Sequence, residues 1–314
     1  MGLPLASVVI PNWNGAGYLC RCLESLERQT FRGFEVIVVD NGSRDESVQL
    51  VQERFPWASV LSLKDNRGFA GAANAGLAKA RGEVLVLLNN DTEAEPQWLE
   101  SLLDALLSEP DCGMAASRIR LLGRRSALHS AGDLYGKDGL PRNRGVWEED
   151  KGQYNKRDYV FGPCGAAAAY RRTLFADIGW FDERFFMYLE DVDIAWRAQL
   201  AGARCVYEPN AIVYHQLSAT GGGPLASYYT GRNTLAVLVK NMPSPLIRRH
   251  WRAIVLAQLR IAMEALRSWK GEAARARLRG QLAGIAFARR LLPDRRWIQA
   301  RRSASLEYLE GLLV

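Results

Sequence analysis

An α/β chain with a doubly wound, mostly parallel sheet and a C-terminal helical extension is the fold class the sequence predicts, on three observations. Strand-like and helix-like stretches alternate four times within the first hundred residues, the signature of parallel strands joined by helical crossovers. Val84 to Leu88 is apolar throughout, too short for a helix and suited to a strand buried on both faces. The charge is lopsided: of a net +7, residues 241–314 hold 15 Lys+Arg against 5 Asp+Glu, which leaves residues 1–240 with 26 against 29. A mildly acidic body with a basic tail directs the tail at an anionic surface.

The elements follow in order. Ala6 to Ile10 is the first strand, ended by Pro11-Asn-Trp-Asn-Gly15. Leu19, Cys22, Leu23 and Leu26 recur at helical spacing within Tyr18–Gln29. Phe34 to Val39 is a second strand, ending in Asp40-Asn-Gly-Ser43; the helix after it, with acids in its first turn, runs to about Phe55. Ser59 to Leu63 is the third strand, followed by Asp65 to Gly71 and a small-residue helix, Ala72–Ala80, before the strand 84–88. Beyond it lie an amphipathic helix at Trp98–Leu107 and a strand at Cys112–Leu121. Gly123 to Asp158, rich in Gly, Arg and Asp without periodicity, is expected to be a long mobile loop or hairpin. Gly165–Tyr170 is a strand, Arg171–Ile178 a short helix, and Glu190 to about Ala201 a helix after the aromatic run Phe181–Tyr188. Cys205–Glu208 and Ala211–Tyr214 are the last strands, closing at His215, and Thr220–Pro224 is a flexible loop.

Parallel strands bring their carboxyl ends to one rim, where ligands sit in such sheets. Here those ends carry Asn12 and Asn14, Asp40, Asp65 to Gly68, and Asn89-Asn90-Asp91. A carboxylate flanked by amides at a strand tip suits a hard divalent cation, which in turn binds phosphate oxygens; an Asn/Asp turn closing the strand is the other reading. The first strand opens into Pro-Asn-Trp-Asn-Gly and not G-x-G-x-x-G, and no G-x-x-x-x-G-K-[ST] occurs, so dinucleotide and P-loop sites are excluded. The five cysteines are odd in number and lack paired zinc spacing, which suits reduced thiols in a cytosolic protein. No basic region followed by an apolar stretch opens the chain, and no run of about 18 uncharged apolar residues occurs.

Six motifs in sequence, Val9-Ile-Pro-Asn-Trp-Asn-Gly15, Val39-Asp-Asn-Gly-Ser43, Asn66-Arg-Gly-Phe69, Leu88-Asn-Asn-Asp-Thr92, Leu189-Glu-Asp-Val-Asp193 with Trp196-Arg197, and Val213-Tyr-His215, span residues 8–215. In them the chain resembles glycosyltransferase family 2, with the GT-A fold, and is most similar to bacterial rhamnosyltransferases that build cell-surface polysaccharide. The resemblance implies an inverting, metal-dependent transfer from a pyrimidine nucleotide-diphospho-sugar, dTDP-rhamnose for a rhamnosyltransferase, to a saccharide or lipid-linked saccharide. It assigns Mg2+ or Mn2+ to Asp91, with Asn89 beside it and His215 as the third protein contact. Asn89 stands where the family's Asp-x-Asp has its first acid, so weak metal binding is expected until the diphosphate completes the shell. An imidazole ligand favours Mn2+ more than an all-oxygen shell does.

Asp191 matches the family's general base, and Glu190, Tyr188 and Trp180 are assigned to the acceptor. Acids opening a helix are also stabilised by its dipole without reacting; Asp193 and Arg197, four apart, are expected to pair on the helix surface. Pro11 and Asn12 would line the base, and Asp40 would accept from a pyrimidine imide N–H, which favours uridine or thymidine. Asn14, Arg67, Gly68 and Asn90 complete the nucleotide set. Capping the Asn41-Gly42 turn is the alternative for Asp40.

The expected domains are a catalytic unit at 1–240, with a nucleotide-sugar half (1–110) and an acceptor half (111–240), and a basic helical region at 241–314. In Leu246–Trp269 the apolar residues, Trp251 and Trp269 among them, share one face, opposite Arg249, Arg260 and Arg267. That pattern fits an anionic membrane surface, hence a cytoplasmic enzyme peripheral at the inner face of the membrane; a helical cap with solvated arginines is the bland alternative. A sugar-phosphate nucleotidyltransferase, which lacks a match for its Gly-rich loop here, and a non-catalytic membrane-binding protein are the competing readings. The acidic body argues against nucleic acid, and oligomer formation is left open.

Overall fold

The computed structural model describes residues 3–217 and 222–314, so Thr220 and Gly221 of the expected loop lie outside the described residues. In the first half, β1 (Ala6–Asn12), α1 (Ala16–Glu27), β2 (Phe34–Asp40), α2 (Ser47–Arg54), β3 (Ser59–Ser62), α3 (Gly68–Lys79) and β4 (Val84–Leu88) alternate. β1 pairs in parallel with both β2 and β4, and β2 with β3. The short β5 (Thr92–Ala94) and α4 (Trp98–Ser108) follow. β6 (Cys112–Leu121) leads into β7 (Arg124–Ser130), β8 (Asp133–Tyr135), β9 (Pro141–Asn143) and β10 (Asp158–Val160). β11 (Ala167–Arg171), α5 (Arg172–Ile178), α6 (Glu190–Leu200) and β12 (Arg204–His215) close the sheet, which runs β10-β12-β6-β11-β4-β1-β2-β3.

Side chains alternate across the strands into two cores. Val8, Ile10, Val36 and Val38 face Leu19, Leu23 and Trp98 on one side; Val9, Ile37 and Val39 face Leu77, Ile194 and Trp196 on the other. Every residue of β4 is buried, as a central strand covered on both faces requires.

Three expectations change. The segment 123–158 is ordered: β7 pairs with β6 and β8 with β9, both antiparallel. Its strands are three residues long or, in β7, lack a hydrophobic alternation, and polar bonds fix it, with Asp150 accepting from both Arg118 and Arg120. β12 is one strand through 204–215 with an irregularity between Glu208 and Ile212, where two were expected. Asp193 and Arg197 do pair, at 2.9 Å, but both are buried. Burial opposes the Asp193 charge, yet Lys240, Arg197 and Asn241 hold its carboxyl below the usual range.

Five helices complete the chain: α7 (Gly223–Asn241), α8 (Ser244–Arg267), α9 (Glu272–Arg290), α10 (Leu292–Ala300) and α11 (Leu306–Gly311). α7, which the sequence reading left unassigned, meets α9 at glycines. A Cβ added to Gly280 would fall 2.2 Å from the Tyr228 carbonyl oxygen, and one on Gly284 2.8 Å from that of Arg232. Gly280→Ala is therefore expected to lower stability by about 1–3 kcal/mol through overpacking. Gly17→Ala on α1, where a Cβ meets nothing within 4 Å, should instead be neutral or stabilising by up to about 1 kcal/mol. Denaturant melts of the two variants test the difference.

Candidate active site

A cavity of about 440 Å3 opens at the carboxyl ends of the central strands, and Asn89, Asp91, Tyr188, Glu190, Asp191 and His215 all line it. The turn after β4 is pinned: Asn89 N–H donates to the Ala166 carbonyl (2.9 Å) and the Thr92 hydroxyl to that of Asn89 (2.6 Å). β5 then pairs with β12 so that Thr92 lies opposite His215, and Gln216 N–H donates to the Asp91 carbonyl. Sheet register thus brings two residues 124 positions apart side by side.

Asp91 Oδ1 lies 3.0 Å from His215 Nε2, yet that oxygen is buried with no hydrogen bond. The distance is right and the alignment is not, so the carboxylate oxygen stands open beside the ring nitrogen. Asn89 Nδ2 is 3.4 Å from the same ring nitrogen. On its other side His215 Nδ1 is 3.1 Å from His129 Nδ1. Burial, with His215 facing it, pushes the His129 imidazole down to about 3, so this ring is neutral at pH 7. The contact with His129 holds the His215 ring so that its Nε2 points at the carboxylate. A partner on the distal nitrogen is how metal-binding imidazoles are oriented. The donor set fits a divalent cation of intermediate hardness.

Asp191 sits across the cavity in the first turn of α6. Gly165 N–H and Val192 N–H each donate to one of its oxygens at 2.8 Å. Side-chain ligand atoms of Asp133, Cys164 and Asp191 lie within 4.8 Å of one another. Burial raises the Asp191 carboxyl; burial and the Asp191 charge raise Asp133 well above the usual range, and burial raises the Cys164 thiol. A trio whose charged forms are all disfavoured by burial suits a base and its partners better than a cation. Glu190 is buried with Oε2 unpartnered, and burial beside Asp191 raises its carboxyl well above the ordinary range.

The approach to Asp191 is strained. Phe186, Tyr188 and Leu189 all have φ of 65–67°, a left-handed conformation that costs non-glycine residues. Asn233 of α7 holds it: its Nδ2 donates to the carbonyls of Phe185, Met187 and Tyr188 at 2.7–3.1 Å. Arg232 donates to those of Arg184 and Phe185 at 2.8 Å.

The strand tips away from the cavity divide into contact candidates and scaffold. Asp40 accepts from Ser43 N–H through Oδ2, whereas its buried Oδ1 has no partner. Asn90 donates to Asn12 Oδ1 at 2.7 Å, and a Cβ on Gly15 would fall 2.1 Å from Asn90 Nδ2. These two amides satisfy each other and brace the rim. Asn14, at φ 49°, accepts from Arg44 N–H, and Pro11 lies on β1 beside Asn12.

Arg67 is held by Glu183 at 2.6 Å. Gly68 is at φ +72°, and a Cβ there would fall 2.3 Å from the Phe186 carbonyl, so it seats the strained loop. Trp180 does not reach the cavity: its ring stacks on Phe175 at 4.9 Å and its carbonyl accepts from Arg197. The sequence reading missed His129, Asp133, Cys164 and Asn233. Of these only His129 gave a signal, as one of three histidines.

Residues 7–179 match the profile of Glycosyl transferase family 2. The chain belongs to that family. The glycosyltransferase is 31% identical over 83% of its length, and 91% of the relative's, to N-acetylglucosaminyl-diphospho-decaprenol L-rhamnosyltransferase of Mycobacterium tuberculosis. It is 33% identical over 98% of its length to pre-mycofactocin glycosyltransferase of the same organism, but spans only 60% of that protein. Among solved structures, the mannosyltransferase PcManGT of Pyrobaculum calidifontis, in complex with GDP-Man and Mn2+, aligns over 99% of this chain and 86% of its own, with a TM-score of 0.57 at 18% identity. That likeness, with a mixed sheet in which β1 to β4 pair in parallel, places the enzyme in the GT-A fold.

Asn233→Ala removes three hydrogen bonds to buried or half-buried carbonyls. It is expected to cost about 1–3 kcal/mol of stability and to lower turnover more than the Tm shift accounts for, since the freed loop carries Asp191. Melting curves beside single-turnover rates separate the two effects.

Proposed function

We propose that this glycosyltransferase is an inverting rhamnosyltransferase that moves L-rhamnose from dTDP-rhamnose to a lipid-linked saccharide. The supporting observation is the cavity that places the unpartnered Asp91 Oδ1 and His215 Nε2 on one side and Asp191 on the other. The rhamnosyl donor and diphospho-lipid acceptor follow the L-rhamnosyltransferase relative, whose name carries both sugar and lipid.

The acceptor hydroxyl is held between Asp191 and the donor's anomeric carbon. Its oxygen forms the new bond to that carbon while the bond to the diphosphate oxygen breaks, its electron pair leaving on the opposite face, so the centre inverts. The hydroxyl proton passes to Asp191, whose two backbone hydrogen bonds fix its aim and leave a lone pair on each oxygen. Asp91 and His215 would hold Mg2+ or Mn2+, with Asn89 beside them; when bound, the ion supplies charge neutralisation for the departing diphosphate. The buried, unpartnered Asp40 Oδ1 suits an imide N–H of thymine or uracil, with Pro11, Asn12 and Asn14 along the same rim. Glu190 and Tyr188 face the acceptor side of the cavity. Residues 1–110 would take the nucleotide-sugar and 111–240 the acceptor.

The helices after residue 241 would rest on an anionic membrane surface. No described helix is long and apolar enough to cross a membrane.

A screen of nucleotide-sugars against a lipid-linked acceptor, read by product mass, tests the donor: dTDP-rhamnose should give a gain of one deoxyhexose, and a product only from another sugar nucleotide would overturn the reading. Asp191→Asn should keep nucleotide binding and lose about a hundredfold to ten-thousandfold in transfer; Asp91→Ala should lose metal-dependent nucleotide binding. Because burial raises the Asp191 carboxyl, the base protonates as pH falls, and single-turnover rates should drop along an acid limb centred above the ordinary Asp value of about 3.9. A rate flat across that range contradicts the assignment.

A further inference from the structure

The catalytic cavity is not the largest in the molecule. A trough of about 1120 Å3 runs between α8 and α9, with Pro224 and Leu235 of α7 in its wall. Val255, Leu259 and Leu266 of α8 face Leu278, Leu282 and Ile285 of α9 across it. Their exposure is high for such residues: Leu259 is 52% exposed and Leu282 70%. α8 meets its neighbours through Leu246, Ala257 and Ala265, all buried and none on the trough, and through Ile254, buried at its floor. The apolar trough is therefore surplus to folding, and exposed patches of this kind mark interaction surfaces.

Charge decides what fits. Arg275 and Arg279 stand on the trough wall against one acid, Glu272, so the wall is net positive. Arg275 donates to the carbonyls of Trp269 and Lys270, whereas Arg279 has no ion-pair partner among the described residues. A second copy of this chain would bring the same excess of arginine, 15 Lys+Arg against 5 Asp+Glu in residues 241–314, and would be repelled. An aliphatic chain with an anionic head satisfies both the apolar walls and the free guanidinium. Position agrees: α7 is a wall common to both cavities, with Thr230 on the catalytic side and Pro224 and Leu235 on the trough side.

We propose that the α8–α9 trough seats the aliphatic chain of a diphosphate-linked lipid acceptor, Arg279 meeting its phosphate. This rests on the reading of the acceptor as lipid-linked and adds where its chain lies. Leu259→Glu and Leu282→Glu disturb only exposed positions, which unchanged melting curves verify.

Transfer is measured in detergent micelles, without bilayer, to two acceptors with one saccharide-diphosphate head, one on a long isoprenoid and one on a short soluble alkyl chain. Each variant should raise KM at least tenfold for the long-chain acceptor and less than twofold for the short one. Equal effects on both, or none, overturn the proposal. So does loss confined to anionic vesicles, which makes the trough a bilayer face, or a wild-type dimer that the variants dissociate, which makes it a subunit contact. If neither acceptor receives sugar, the lipid-acceptor reading has failed, and the trough is judged alone with a photoreactive isoprenoid diphosphate. Labelling of residues 255–285 that the variants abolish supports the seat; labelling elsewhere or none overturns it.

Discussion

The site depends on one juxtaposition: a carboxylate oxygen and an imidazole nitrogen 3.0 Å apart with no hydrogen bond on the oxygen. A buried carboxylate oxygen without a hydrogen bond is unfavourable unless something positive completes it. The fold enforces the arrangement from both sides. Pairing of β5 with β12 sets the backbone, and His129 behind His215 fixes the orientation of the ring. The low charge of the site follows from Asn89, which offers an amide where an acid would double the negative charge.

Across the cavity the problem is the opposite, keeping a buried carboxyl basic without a cation at its side. Two backbone N–H groups stabilise the charged form of Asp191 while burial and its acidic neighbours oppose it. Its position is set at a distance. The left-handed residues before α6 are clamped by Asn233, and α7 is tied to α6 through Lys240 and Asn241 on Asp193. The helical layer thus bears on the site mechanically, because it holds the loop that leads into α6 and Asp191.

What the sequence displayed follows physical scale. The alternation of β1 to β4 with α1 to α3 was visible because a strand buried on both faces is an unbroken apolar run and its crossover helices are periodic. Asp91, Asp191 and His215 were visible because polar side chains at the ends of such runs stand out. Asp133 and Cys164 were not, since they converge only through the folding of residues 124–165, whose order comes largely from polar bonds, and His129 showed only as one of three histidines. α7 was hidden for a related reason: its inner face is built on glycine and polar residues such as Gly231, Asn233 and Thr234, which carry no hydrophobic period. Trp180, expected at the acceptor, stacks on Phe175 outside the cavity, a packing that its sequence neighbourhood does not reveal.

The central claim is that Asp91 and His215 jointly bind a cation that bridges the donor's diphosphate. Anomalous diffraction from crystals soaked with Mn2+ and dTDP tests it most directly. The account predicts a manganese peak within bonding distance of Asp91 Oδ1, His215 Nε2 and a phosphate oxygen. An ordered nucleotide with no peak there, or manganese bound by Asp133, Cys164 and Asp191 instead, would contradict it.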